Sequence, residues 1–372
     1  MSQNIVPWAK PELGKLELNL IRDVFKNDMF TMGKNVNLLE KKMSRYCDSK
    51  YAIAISNGTV ALDIALKTIN ILPGDEVIVP AISYFSTASA VSYQKAIPVF
   101  VDIELNTYNI DASKIERCIS KKTKAIIYID YGGNPSNHEE IFRIARKYNL
   151  IVINDAAQSL GAKKNGKNLG AFGDISTMSF HMAKMISTIE GGMIFTNNKN
   201  YYNKIITLRN IGEPKGKKYI HDEIGTNARM TEINAAIGIA QFTKLKKFVK
   251  NRINVAKIYD SLITENKLNV NIVKKINRKS SNAYFFYPIL IKDRDKIASI
   301  LKNKFFIDTR IAYPMPIYEQ PVYKKNKKLF KKIDCPNAVK FSKEVLNLPI
   351  FPSMTKKEIE YVVFSLSKII KK

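Results

Sequence analysis

The chain has 372 residues, 45% of them hydrophobic and 25% charged, with a formal charge of +27. That length supports a large buried core and two to three compact units. No apolar run approaches the ~20 residues of a membrane-spanning helix, and three widely spaced cysteines (Cys47, Cys118, Cys335) fit neither a disulfide framework nor a zinc site.

The N-terminal run MSQNIVPWAKPELGKLE has no apolar h-region, so the expected location is a reducing cytoplasm, with no membrane span. The excess of Lys and Arg would suit a polyanion partner. Its pattern does not: lysines are scattered singly or in pairs, as in KKNKKLFKK (324–332), without interleaved aromatics or a nucleic-acid module. No nucleic-acid partner is expected.

In chain order, ELNLIRDVFKND (17–28) and VNLLEKKMSRYC (36–47) carry apolar residues at helical spacing. YAIAIS (51–56) reads as a strand closed by Asn57-Gly58-Thr59, and a helix follows. PGDEVIVP (73–80), IPVFVDIE (97–104), KAIIYIDY (124–131) and LIVINDAA (150–157) are further strand-like runs, the last two separated by the amphipathic EEIFRIARKYN. Val- and Ile-rich strands alternating with helices predict a mainly parallel α/β sheet covered on both faces. Ligands then bind at the carboxyl ends of the strands, which singles out Ser56 to Thr59 and Asp155 to Gln158.

Beyond residue 245 the texture changes. LKKFVKNRINVAKIYDSLI (245–263) is a long basic helix, followed by a looser stretch over 269–283. A strand (YFFYPILI, 284–291), a helix (RDKIASILKNKF, 294–305), a Pro-rich loop (YPMPIYEQP, 313–321) and a final helix complete the chain. The expected division is a large domain over 1–245 and a smaller α+β domain over 246–372.

Several residues invite a chemical reading. Asn57-Gly58-Thr59 offers a helix N-terminus and a close backbone approach for a phosphate, or an ordinary βα turn with Thr59 as the cap. Asp155 ends an apolar strand, with Gln158 three residues on; the carboxylate either holds a cationic ring nitrogen or caps the next segment. Tyr84, just after a strand, either stacks on a flat ring or joins the core. Lys184 stands among small and apolar residues before Gly191-Gly192 in SFHMAKMISTIEGGM. A desolvated lysine has a lowered pKa and forms an imine with an aldehyde, whereas a lysine on a polar loop does neither. His181 reads as a packing or positioning residue. It shares no ligand spacing with His138 or His221, and no metal site is expected. Phosphate turn, aromatic, strand-end acid with Gln, and Ser then Lys before a Gly pair form a set of parts for holding pyridoxal phosphate.

With these blocks in order, the chain resembles the DegT/DnrJ/StrS family of sugar aminotransferases, pyridoxal-phosphate enzymes of the aspartate-aminotransferase fold (fold type I). The resemblance runs from WAKPELGKLE through YAIAISNGTVALDIAL, PGDEVIVPAISYFSTASAV, VINDAAQSLGA, GAFGDISTMSFHMAK and GTNARMTEINAAIGIAQ to LNLPIFPSMT. It implies a seven-stranded, mainly parallel sheet in the large domain. It assigns Lys184 as the Schiff-base lysine, Asp155 as the acid on the pyridine nitrogen, and Gln158 as the amide near the ring hydroxyl. Tyr84 is the stacking aromatic, and Asn57, Gly58, Thr59 and Ser179 surround the phosphate. Asn227 reaches the phosphate of a neighbouring subunit, which implies a homodimer with composite sites. His181, Met32, Arg229, Tyr313 and Tyr318 fall on the substrate side; Tyr318 stands where the family's P-L-H loop has an imidazole, and Met32 where a small residue is frequent.

The implied reaction moves an amino group from an amino acid, glutamate in most members, to a nucleotide-linked keto-deoxysugar. Members that act as pyridoxamine-dependent sugar dehydratases carry His at the position of Lys184. A regulatory member without catalysis would have lost part of the cofactor set.

Overall fold

The computed structural model describes residues 6–26, 29–273 and 280–370; part of the expected loose stretch, residues 274–279, lies outside them. An eight-stranded sheet runs in the spatial order Tyr51–Ile55, Gly192–Thr196, Ile175–Ser179, Ile151–Asp155, Thr123–Ile129, Glu76–Pro80, Ile97–Val101 and Lys331–Lys332. Gly192–Thr196 is antiparallel to both of its neighbours, and the remaining pairs are parallel. The expected seven strands are joined by an eighth. Lys331 and Lys332 pair with Val99 and Phe100, so a two-residue segment from the C-terminal part closes the sheet edge.

Runs such as EVIVP and IVIND are buried along nearly their whole length because helices cover both faces of the sheet. Since the parallel strands share one direction, their carboxyl ends at Ile55, Pro80, Ile129, Asp155 and Ser179 emerge on one edge. That edge gathers the candidate residues.

The expected boundary at residue 245 falls inside one uninterrupted helix, Glu232–Glu265. Its first half (Ala235, Ile239, Leu245, Phe248) packs with Met178, Phe180 and Met185. Its second half (Val255, Ala256, Tyr259, Ile263) packs with Tyr287, Leu346 and Val362. The core therefore changes over between Phe248 and Val255, without a break in the backbone. The two ends of the chain also cross the expected division. Val6 belongs to the C-terminal core, where its amide donates to the Phe306 carbonyl at 3.0 Å. In the other direction, Phe285, Phe286, Ile317, Tyr318, Tyr323 and Phe341 pack into the core of the large sheet. The C-terminal part is built on the antiparallel strands Asn271–Ile272, Tyr287–Leu290 and Val345–Leu348. Among the described residues no helix is long and apolar enough to cross a membrane.

One buried carboxylate fixes the entry to the large unit. Helix Lys34–Tyr46 starts at Gly33, which has no side chain to satisfy the first-turn amides. Glu232, 2% exposed and nearly 200 residues away, does this instead. Its oxygens accept from the Gly33 amide at 2.8 Å, the Asn35 amide at 2.8 Å and the Val36 amide at 3.0 Å. A Cβ at residue 33 would lie 2.9 Å from the Glu232 carboxyl carbon, so glycine is what lets the cap approach. Glu232→Ala leaves three amides short of an anionic acceptor, a loss of roughly 2–3 kcal/mol. We expect a clearly lowered urea-unfolding midpoint for Glu232→Ala and a smaller loss for Glu232→Gln. An unchanged midpoint in the alanine variant would show that the cap is energetically idle.

Candidate active site

Strand Ile175–Ser179 ends in a tight loop that presents Lys184. The loop is closed by the Phe180 amide on the Gly191 carbonyl (2.8 Å) and the Thr188 amide on the Phe180 carbonyl (2.9 Å). The Gly pair has a steric reason. A Cβ on Gly191 would meet Thr188 Oγ1 at 2.1 Å, and one on Gly192 would meet the Asn57 backbone at 2.6 Å. The lysine loop and the phosphate-side turn are therefore packed directly against each other.

The Lys184 side chain is half-buried, and its ammonium lies 4.8 Å from the centroid of the Phe285 ring. Loss of solvent brings its pKa down from 10.5 to about 8, against the opposing pull of Asp155. Asp155 is 6% exposed. Its Oδ2 accepts from Thr87 Oγ1 at 2.8 Å and its Oδ1 from the Ala157 amide at 3.2 Å. Burial raises the Asp155 pKa, while Thr87 and Lys184 hold it back. Both members of the pair are thus pushed toward neutrality, and an incoming cation beside Asp155 would restore its charge.

Gln158 is held by the backbone. The Gly132 amide donates to its Oε1 at 2.7 Å, and this fixes which way the side-chain amide faces. Its Nε2 then donates to the Tyr313 hydroxyl at 3.0 Å, which brings Tyr313 from the C-terminal part to the site.

At the phosphate end, helix Gly58–Thr68 begins directly after its strand. Asn57, not Thr59, is the cap: its Oδ1 accepts from the Val60 amide at 2.9 Å. The Gly58 and Thr59 amides have no acceptor among the described residues, as a helix N-terminus leaves them. A Cβ at Gly58 would lie 2.8 Å from Ser179 Cβ, so only glycine lets Ser179 close against this turn. Tyr84 follows strand Glu76–Pro80 and is 61% exposed. It is a free platform rather than a core residue.

These groups fit pyridoxal phosphate. An amine and helix amides without acceptors among the described residues, a buried acid for the ring nitrogen, an oriented amide and an open aromatic face lie on one sheet edge.

The substrate-side expectations fare unevenly. His181 is exposed, with Nε2 3.8 Å from a Glu190 oxygen. Arg229 donates to Asn210 Oδ1 at 2.7 Å, and Asn227 is exposed on a bridge to Asn210. Met32 lines a cleft of about 240 Å³ with Asn37, Glu40 and Arg209, and none of the cofactor-side residues lines it. The expectation for Tyr318 is corrected: it is 3% exposed, stacked on Phe330 and edge-on to Phe100 at 5.7 Å. Its side chain packs into the core of the large sheet. Conversely, the sequence reading missed Thr87, the Gly132 peptide and Phe285. Only Gly132-Gly133 leaves a trace in the chain, as a turn-forming dipeptide with both φ angles positive; Thr87 and Phe285 become site residues through tertiary packing.

Residues 11–367 match the model of the DegT/DnrJ/EryC1/StrS aminotransferase family. The GDP-perosamine synthase of Escherichia coli O157:H7 is 34% identical over 98% of this chain and 98% of its own. The dTDP-4-amino-4,6-dideoxy-D-glucose transaminase of Shigella dysenteriae is 32% identical over 97% and 98%. Among solved structures, S. venezuelae DesV in complex with a ketimine intermediate superposes with a TM-score of 0.91 at 26% identity, over 100% of both chains. The chain belongs to the DegT/DnrJ/EryC1/StrS aminotransferase family and is a pyridoxal-phosphate-dependent sugar transaminase.

Proposed function

We propose that this enzyme moves an amino group from L-glutamate to a nucleotide-linked 4-keto-6-deoxyhexose, supplying an amino sugar for a surface polysaccharide or glycoconjugate. Amination at C4 is favoured over C3. The observation that carries the reading is the desolvated Lys184 amine facing Asp155 across the carboxyl edge of the sheet. The enzyme is placed in the cytoplasm, where nucleotide sugars are made.

When bound, pyridoxal phosphate supplies the electron sink for a carbanion at the amino-bearing carbon. Lys184 anchors it covalently, and Asp155 holds the proton on the ring nitrogen. Gln158 donates toward the ring hydroxyl, Tyr84 covers a ring face, and Gly58, Thr59 and Ser179 bind the phosphate. When its amine is free, Lys184 Nζ would be the group that takes the proton from the donor's α-carbon. The same amine would return a proton to the sugar carbon in the second half-reaction. A lysine with a pKa of about 8 has a usable fraction of neutral amine near neutral pH, as a general base requires. The exposed Asn227 is assigned to the phosphate of a neighbouring subunit, in a homodimer with shared sites. His181 and Arg229 are assigned to the sugar side.

A pyridoxamine-dependent dehydratase is the competing reading, and Lys184 in place of His speaks against it. The regulatory reading is disfavoured by a cofactor set that lacks no member.

The direct test offers the holoenzyme glutamate and a panel of nucleotide 4-keto and 3-keto 6-deoxysugars. We expect an amino-sugar product of the corresponding mass, with nitrogen at C4. A deoxygenated product without nitrogen would establish the dehydratase instead. Lys184→Ala is expected to lose at least about 10³-fold in turnover and to change the visible spectrum of the bound cofactor. Cofactor capture by the cofactor-free protein should accelerate with pH around a midpoint near 8, since the neutral amine is the nucleophile and the folded-state pKa lies below 10.5. A midpoint near the ordinary lysine value would contradict the desolvation described above. Finally, Tyr313→Phe should weaken cofactor binding about fivefold through Gln158. Tyr318→Phe should stay within about twofold of the parent kcat/KM, because that hydroxyl serves no ligand.

A further inference from the structure

We propose that Phe285 is the resting platform of Lys184: its ring face receives the lysine whenever the covalent link to the cofactor is open. The inference rests on the assignment of Lys184 above, and it concerns where the freed side chain goes.

The geometry is specific. Lys184 Nζ stands 4.8 Å from the Phe285 ring centroid and has no hydrogen-bond acceptor among the described residues. Phe285 is 5% exposed, and its backbone is clamped on both sides. Its amide donates to the Gly132 carbonyl at 2.8 Å. Its carbonyl accepts from Arg252 Nη1 at 3.4 Å, and the same nitrogen also serves the Tyr284 carbonyl at 3.1 Å and the Ile350 carbonyl at 3.1 Å. Arg252 is 4% exposed; the charge of Glu12 acts on it, and its hydrogen bonds go to backbone carbonyls. The ring itself rests on Phe286, with centroids 4.4 Å apart.

Gly132 joins this clamp to the cofactor side. Its amide holds Gln158 while its carbonyl holds Phe285, so a single residue spaces the two. A backbone φ of 63° at Gly132 makes the turn that allows both bonds.

The chemistry explains the need for such a platform. A transaminase lysine is released in each half-reaction and must wait between proton transfers. In this site Asp155 is the acid that acts on the Lys184 charge. Pairing with it would withdraw the counter-ion from the ring nitrogen. An aromatic face attracts the ammonium by its quadrupole without accepting a hydrogen bond, so the amine stays close and free to move a proton. Phe285 is therefore a positioning residue that acts through Lys184.

The test begins with holoenzyme reconstituted with pyridoxamine phosphate, in which Lys184 is free whatever the donor is. With carbon-13-labelled lysine, the Lys184 ε-methylene resonance should be shifted upfield by the ring current. It should return toward the ordinary position in Phe285→Leu and stay shifted in Phe285→Tyr. In single turnovers with the donor, Phe285→Leu should slow the proton-transfer step about three- to tenfold with KM unchanged, and Phe285→Tyr should restore the rate. An unshifted resonance in the parent enzyme overturns the inference, and so does an equal loss in both variants. If Phe285→Leu does not fold, the parent resonance decides by itself. A visible spectrum of the pyridoxal-phosphate form that ignores Lys184→Ala would instead overturn the assignment of the lysine, and would do so independently of the ring-current result.

Discussion

A half-buried amine set near one buried carboxylate is the constraint around which this structure is organised. Partial burial lowers the Lys184 pKa from 10.5 to about 8 and so disfavours its charged form. Asp155 is also driven toward its neutral form by burial. Neither group would be kept in such surroundings for stability, since desolvation commonly exceeds what a buried ion pair returns. The rest of the edge limits the cost. Thr87 and the Ala157 amide hydrogen-bond Asp155, and the Phe285 ring offers the lysine a face in place of water.

The supports behind that edge are themselves buried and polar. Asp130 is fully buried and accepts from His138 Nε2 at 2.8 Å, the Ser136 amide at 2.8 Å and Ser159 Oγ at 3.0 Å. Burial would raise its pKa, but His138 and these donors bring it below the ordinary value. The carboxylate thus stays charged and ties the 130–138 loop to the residue next to Gln158. Gly132 lies in that loop, so the same network that fixes Gln158 also fixes the seat of Phe285. Connected in this way, the cofactor side and the C-terminal part share one rigid joint.

What was legible in the sequence was local. The Asp-x-x-Gln after a strand, the glycine turn before a helix and the lysine ahead of a Gly pair are contiguous patterns, and each occupies the expected edge. The contacts that complete the site are not contiguous. Thr87 meets Asp155 across 68 positions, and Gln158 meets Tyr313 across 155, with no periodicity to announce either. Burial misled in the other direction at Tyr318. A position in the Pro-rich loop suggested a ligand contact, but Phe100 and Phe330 enclose it. The expected boundary at 245 followed a change in charge texture, whereas the helix there continues and only its buried partners change. The eighth strand was invisible for a similar reason: two lysines at a sheet edge carry no strand pattern.

The lysines themselves show what separates composition from function. This chain carries 60 Lys and Arg, and burial by itself does not mark the reactive one. Lys164 is 6% exposed, more withdrawn from solvent than Lys184. Its ammonium, however, is bound by Glu139 Oε2 at 2.5 Å and the Ser136 carbonyl at 2.9 Å. A lysine so satisfied is tethered in place by its partners. Lys184 has no hydrogen-bond acceptor among the described residues, and burial lowers its pKa to about 8, so its proton is less tightly held. Reactivity here follows from what surrounds the amine, a ring face and one carboxylate kept for another nitrogen.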